Sequence, residues 1–155
     1  MRRNDKEIKD KSTIERILND AQVCRIALCN DNKPYIVPMN FGFKDNYIYI
    51  HSACEGRKID IIKENNNVCF EVDIKHELVK SDKTCNWGMK YYSVIGFGKA
   101  RFINDNNKKK EILNIIMQKY SENTQKTFEY SDSTLNKTAL IQIKIEHITG
   151  KKSGY

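Results

Sequence analysis

Residues 50–60, IHSACEGRKID, set a histidine, a serine, a glycine and two adjacent cations where a strand-like run gives way to a helical one. A helix start exposes unpaired backbone N–H groups and the positive end of the aligned peptide dipoles. Arg57 and Lys58 in that first turn carry the wrong sign for such a field unless an anion sits there. A phosphate would account for both, with Ser52 and the turn amides donating hydrogen bonds and Gly56 letting the backbone come close. Two solvated cations in a lysine-rich chain are the plain alternative, and these residues alone leave both open. His51 stands beside the turn at a strand end. Its ordinary pKa of about 6.5 makes it able to hydrogen-bond or protonate a bound ring.

A second candidate lies in PYIVPMNFG, residues 34–42. Pro38 cannot donate to a sheet ladder, so it marks a place where a strand leaves its partner. Backbone groups at Val37, Met39 and Asn40 are then free to address the polar edge of a ligand, and the Asn40 amide can both donate and accept. The stretch alone favours the simpler account, an edge strand at Pro38 with a bulge at Asn40. Gly96 and Gly98 share one face of a later strand, where they permit a bulge, a sharp bend or the close approach of a ligand. Other chemistries lack support. His76 and His147 read as surface residues without metal-ligand spacing, a Cys85–His51 nucleophile pair has nothing to support it, and neither a dinucleotide glycine fingerprint nor a P-loop occurs.

The elements that must position these residues follow from periodicity. Residues 12–21 carry Ile14, Ile17 and Leu18 at helical spacing, with Ser12 or Thr13 as the N-cap. Period-two runs follow over 23–29, 34–43 and 47–51, with turn chemistry at 30–33, and they read as three consecutive antiparallel strands. Residues 55–64 read as a helix, 68–74 as a strand, 75–88 as a long polar connection and 89–103 as a strand. The clearest amphipathic helix spans 107–120, with its lysines outside, and a strand over 138–148 closes the order. About six strands in mostly meander order, with two or three flanking helices, predict a mainly β (α+β) fold, a small closed or partly open barrel.

Composition narrows the partners. The 155 residues are enough for one domain that buries roughly 70% of its unfolded surface. The 27 Lys and Arg exceed the 20 Asp and Glu, for a net charge of +7. Lysine far outnumbers arginine, and Asn and Ile are abundant, the joint bias of an AT-rich coding sequence. Only residues 108–110 form a basic run, so no nucleic-acid partner is expected. No apolar stretch approaches the ~20 residues needed to cross a bilayer. The basic N-terminus has no apolar segment after it, so a cytoplasmic protein is expected, with 1–11 as an extended arm and 149–155 as a tail. Five cysteines, Cys24, Cys29, Cys54, Cys69 and Cys85, contain no C-x-x-C pair, and most are expected to be reduced packing residues.

Taken together, MRRNDKEI, CRIAL, KPYIVPMNFGF, IYIHSACEGRKIDII, NVCFEVD, CNWGMKYYSVIGFGKARFI and ITGKKSGY resemble the flavin-binding split-barrel proteins of the pyridoxamine 5′-phosphate oxidase-like superfamily, in particular its nitroimidazole-resistance branch. The resemblance implies a homodimer of six-stranded split barrels with FMN at the subunit interface. Arg57 and Lys58 match the basic pair on the FMN phosphate, and His51 and Ser52 the strand end beside the flavin. Val37, Pro38, Met39 and Asn40 match the strand lining the isoalloxazine, and Ser93, Val94, Ile95 and Gly96 the strand near the interface. Trp87 and Tyr91 match aromatic walls of the substrate pocket, reaching the partner's flavin. The chain departs from the pattern at its GKKSGY end, which lacks the arginine-rich signature of the true oxidases, and at Tyr92, where relatives carry a basic residue. Vitamin B6 oxidation is therefore not expected. The implied activity is an FMN-dependent oxidoreductase passing electrons to a small flat acceptor such as a nitro-aromatic, with His51 as the catalytic group. Two alternatives from other classes are a haem-binding or haem-degrading barrel, with Arg57 and Lys58 on a propionate, and a non-catalytic flavin binder.

Overall fold

Alternation carries the sheet. In the computed structural model, which describes residues 3–121 and 128–155, Cys24, Ile26 and Leu28 of β2 (Cys24–Asn30) are buried while Arg25 faces outward. The β2 strand turns through Asp31 and Asn32, both at positive φ, into β3 (Lys33–Met39). Asp and Asn tolerate that left-handed conformation and so fix the hairpin. Asp45 and Asn46 do the same between β4 (Phe41–Lys44) and β5 (Tyr47–Ala53). Before β2 come a two-residue β1 (Glu7–Ile8) and α1 (Lys11–Asp20). After β5 come α2 (Arg57–Glu64), β6 (Asn67–Val79), β7 (Gly88–Ile103), α3 (Asn106–Tyr120), α4 (Asp132–Asn136) and β8 (Thr138–Ser153).

Among the described residues the strands form one eight-stranded sheet in the order β3-β2-β6-β7-β8-β5-β4, with β1 on β8. Every pairing is antiparallel. The strands β3 and β4 are neighbours in sequence, separated by Asn40 alone, yet lie at opposite ends of that order. One core nevertheless takes side chains from both ends: Tyr35, Val37 and Met39 of β3 pack against the same cluster as Phe41 of β4. The sheet is therefore curled into a barrel that stays open between β3 and β4, a split barrel of mainly β class. Ile14, Ile17 and Leu18 of α1 and Ile59, Ile61 and Ile62 of α2 complete that core. A second cluster lies between α3, α4 and the backs of β5 and β8.

Several expectations are corrected. The α1 N-cap is Asp10, whose carboxylate accepts from the Thr13 amide at 2.8 Å, two or three residues before the expected caps. The run over 34–43 is two strands, because the chain leaves the β2 edge at Asn40 and joins β5. The predicted set of three consecutive paired strands does not form. Pro38 stays in register opposite Arg25 on the edge strand, as the simpler account had it, but Asn40 is the break between two strands and not a bulge. The polar stretch after residue 74 is not a loop: β6 passes through a bulge between Ile74 and Glu77, with Lys75 at φ 57°, and pairs with β7 out to Val79. Polar residues suit that extension because both of its faces meet water. The last strand runs on to Ser153 rather than ending at 148, since Lys151 and Gly150 pair with Glu7 and Ile8 of the arm. Not every lysine of α3 is outside: buried Lys109 donates to the carbonyls of Leu135 at 2.8 Å and Thr138 at 3.0 Å, closing the end of α4.

Gly96 and Gly98 serve packing. A Cβ on Gly96 would stand 2.2 Å from the Phe70 ring, and one on Gly98 2.0 Å from the Lys144 carbonyl oxygen. The bulge falls at Phe97/Gly98.

Candidate functional site

The β5 strand is paired on both sides only as far as Ile50, where its ladder with β4 ends at Phe41. From His51 to Ala53 it keeps β8 on one side, through Leu140, Ala139 and Thr138. Its other side faces the break at Asn40. The chain then turns through Gly56, at φ 116°, into α2. No side chain caps this helix, whose bonding begins with the Ile59 and Asp60 amides on the Gly56 carbonyl at 2.8 and 3.1 Å. The Arg57 and Lys58 amides stand ahead of those bonds, at the positive end of the dipole.

Among the described residues two polar groups here are incompletely matched, and a third stands on the gap. The His51 Nδ1 is buried and has no hydrogen-bond partner. The half-buried Lys58 ammonium meets only the Met39 sulfur, at 3.4 Å, and a thioether is a weak acceptor. Exposed Asn40 lies outside both flanking strands, on the gap itself. Burial holds the Lys58 pKa below its ordinary value. Burial, and then the nearby Lys58 charge, likewise lowers that of His51. Arg57 reaches the other lip of the opening, with its guanidinium carbon 4.7 Å from the centre of the Tyr35 ring. A buried nitrogen without a partner and an ammonium without an oxygen are both costly unless a further group satisfies them. An anionic, hydrogen-bonding ligand in the split fits this arrangement.

The sequence-predicted residues do not all meet here. Val37 and Met39 turn toward the barrel core and Pro38 away from it. Half-buried Ser52 shares the strand end with His51. Val94 is fully buried in the core and Gly96 is covered by the Phe70 ring, so of that group only Ser93 and Ile95 present side chains outward. Ile95 stands opposite Glu71, which stands opposite Arg25, which stands opposite Pro38. Ile95 thus belongs to an outer face shared by four strands, on which Ile36 (61% exposed), Phe97 (53%) and Ile95 (41%) are open. Arg25 bonds Glu71 and Asp73 across that face at 2.9 and 2.6 Å. A groove of about 390 Å³ next to Phe97, Cys69 and Cys29 is part of it and does not touch His51.

Trp87 and Tyr91 are farther still. Tyr91 pairs with Ser153, near the end of β8, whereas His51 pairs with Leu140, near its start. That separation is about 40 Å of strand at roughly 3.3 Å per residue. Within one chain these aromatics do not wall the split. Trp87 instead donates to the Ser81 carbonyl at 2.7 Å. Sequence reasoning missed Tyr35 and Tyr120. Tyr120 bonds the Phe41 amide from 79 positions away, and no local pattern could have pointed to it.

An all-antiparallel barrel, open at one seam and carrying two cations at a helix start beside it, defines a split-barrel protein with a candidate anion site. Residues 10–152 match the pyridoxamine 5′-phosphate oxidase family, and the chain belongs to that family. A candidate 5-nitroimidazole antibiotic resistance protein from Bacteroides thetaiotaomicron is 35% identical, with a TM-score of 0.84 over 94% of this chain and 86% of that one. An FAD- and haem-binding protein from Mycobacterium smegmatis shares the fold at 18% identity, with a TM-score of 0.87 over 97% of this chain and 74% of that one. A curated but uncharacterised protein from Rhizobium meliloti is 28% identical over 65 residues, so the match spans 42% of each chain. Among the described residues no helix is long and apolar enough to cross a membrane.

Proposed function

We propose that the protein is an FMN-dependent oxidoreductase that reduces a small, flat acceptor such as a nitro-aromatic ring, and that it works as a homodimer with FMN at the subunit interface. The observation that carries this reading is the pair of unmet groups at the split, the Lys58 ammonium on a thioether and the orphaned His51 Nδ1. A phosphate monoester supplies the oxygens that Lys58, Arg57 and the first amides of α2 lack. The likeness to the Bacteroides protein supports the choice of acceptor. The exposed Ile36, Ile95 and Phe97 support a second copy covering the outer face. Trp87 and Tyr91 could then reach a site only from the partner chain.

In this reading Arg57 and Lys58 bind the phosphate and Ser52 donates to it. The free backbone edge at Val37 and Met39 runs beside the ring, with Asn40 addressing its polar edge. His51 orients the acceptor. Burial, and then the Lys58 charge, lowers its pKa, which favours orientation through a hydrogen bond over outright proton donation. Bound flavin would supply the electron transfer, and the chain supplies binding, orientation and electrostatics.

The test is the absorption spectrum of the purified protein, mass analysis of any chromophore released by heat, and titration of the colourless fraction with FMN. Two flavin bands and an FMN mass, with uptake weakened in Arg57→Ala and Lys58→Ala, are expected. A Soret band would move the assignment to haem, and flavin that is bound but never turned over with a reductant and a nitro-aromatic would leave a non-catalytic binder. A chain that takes up no FMN would sink the reading.

A further inference from the structure

The β4 strand ends the sheet path, so the outward amide of its first residue, Phe41, has no strand to bond. The Tyr120 hydroxyl takes that place. It accepts from the Phe41 amide at 2.9 Å and donates to the Gln22 carbonyl at 2.7 Å. Gln22 lies two residues before Cys24, the first residue of β2, which pairs with Met39 at the end of β3. One hydroxyl therefore ties the β4 lip of the split to the β2–β3 lip, at the point where Asn40 crosses between them.

The side chains around this bridge hold Tyr120 in place. A Cβ on Gly42 would stand 2.9 Å from Ile115 and 3.2 Å from the Ile116 backbone, so α3 rests directly on β4 with no slack. The Lys119 ammonium lies 3.4 Å from the centre of the Phe41 ring and also bonds the Leu18 carbonyl at the end of α1. Met39, on the opposite lip, is the residue against which Lys58 rests.

We infer that Tyr120 is a positioning residue, a latch across the split that sets the gap at Asn40 and thereby holds Met39 and Lys58 in place for a bound flavin. This rests on the flavin reading above. Tyr120 touches no ligand in this role and acts through the Phe41 and Gln22 backbone. Without the hydroxyl both backbone groups lose their partner, and the two lips can splay about Asn40. Binding across the gap must in turn tighten the latch, because coupling between two sites is reciprocal.

The experiment compares FMN affinity, by quenching of flavin fluorescence, in the wild-type chain, in Tyr120→Phe and in Tyr130→Phe. The last removes a similar hydroxyl bond, to Asn114, that joins neither lip of the split. Tyr120→Phe should weaken FMN binding at least tenfold and change the visible circular dichroism of the bound flavin, while Tyr130→Phe does neither. Hydrogen exchange in the wild-type chain provides a readout free of substitution: the Phe41 amide should become more protected when FMN is added. Wild-type binding with equal affinity in Tyr120→Phe, equal weakening in both variants, or a Phe41 amide indifferent to FMN would each overturn the latch alone. A wild-type chain that binds no FMN would overturn it together with the flavin reading.

Discussion

The ammonium of Lys58 rests 3.4 Å from the sulfur of Met39, bridging the start of α2 and the end of β3 with no oxygen in between. An ion held this way gives up water and receives little in return, which is why burial lowers its pKa. Such a residue adds little to folding and is explained by what it binds.

Replacing Lys58 by Met keeps the length of the side chain and removes its charge. Folding stability of the unliganded protein should hold or rise, while FMN affinity falls by about 1.5–3 kcal/mol, the usual worth of a hydrogen bond to a charged group. Thermal unfolding with and without FMN measures both. Parallel losses in the two would mean that Lys58 is structural.

The pH dependence follows from His51. Its folded pKa lies below the ordinary 6.5, so the unfolded chain binds the proton more readily. The stabilising contribution is present above about pH 6.5 and lost as the pH falls through the depressed folded value. His51→Gln should flatten the decline in stability below neutrality and spare FMN binding while slowing turnover. An unchanged acid limb in chemical denaturation would contradict the first, and unchanged turnover would remove His51 from the mechanism.

Gly96 leaves the Phe70 ring no room for a side chain. Gly96→Ala drives a methyl group into the Phe70 ring at 2.2 Å and should cost about 1–3 kcal/mol. The same substitution made in a Phe70→Leu background should cost less than half as much. Equal costs in the two backgrounds, from denaturant titrations, would show that the ring is not what the glycine accommodates.

On the outer face, Phe97→Lys sets a charge among Ile36, Ile95 and the Cys69 groove. The wild-type chain should sediment as a dimer and the variant as a monomer with nearly unchanged melting temperature. A monomeric wild type would dismiss the two-chain site.

The cysteines sort by burial. Cys54 and Cys85 are exposed and should react with maleimide first, with Cys29 and Cys69 slower. Burial pushes the Cys24 thiol up to about 12, so it should react only on unfolding. All five are free thiols, and of the expected packing residues Cys24 is buried, Cys29 and Cys69 are half-buried, and Cys54 and Cys85 are exposed. Mass mapping over time decides the order.

Residue types and spacing already contained the class of fold. Period-two runs in 23–29 and 68–74, the turn residues at 30–33 and the helical spacing of Ile14, Ile17 and Leu18 are local patterns, set by backbone sterics and by one face meeting the core. The adjacent cations at 57–58 after Gly56 likewise stood out at a helix start, because their sign opposes the dipole there and the effect acts within a single turn. Their partners were another matter. Which edge Phe41 joins depends on the sheet curling until β3 and β4 face each other, and nothing in PMNFG states that the chain changes partners at Asn40. The Tyr120 bridge, the contact of Lys58 with Met39 and the placement of Trp87 at the far end of β8 from His51 each join residues distant in sequence. Such contacts come from packing, which the period of a strand or a helix does not encode.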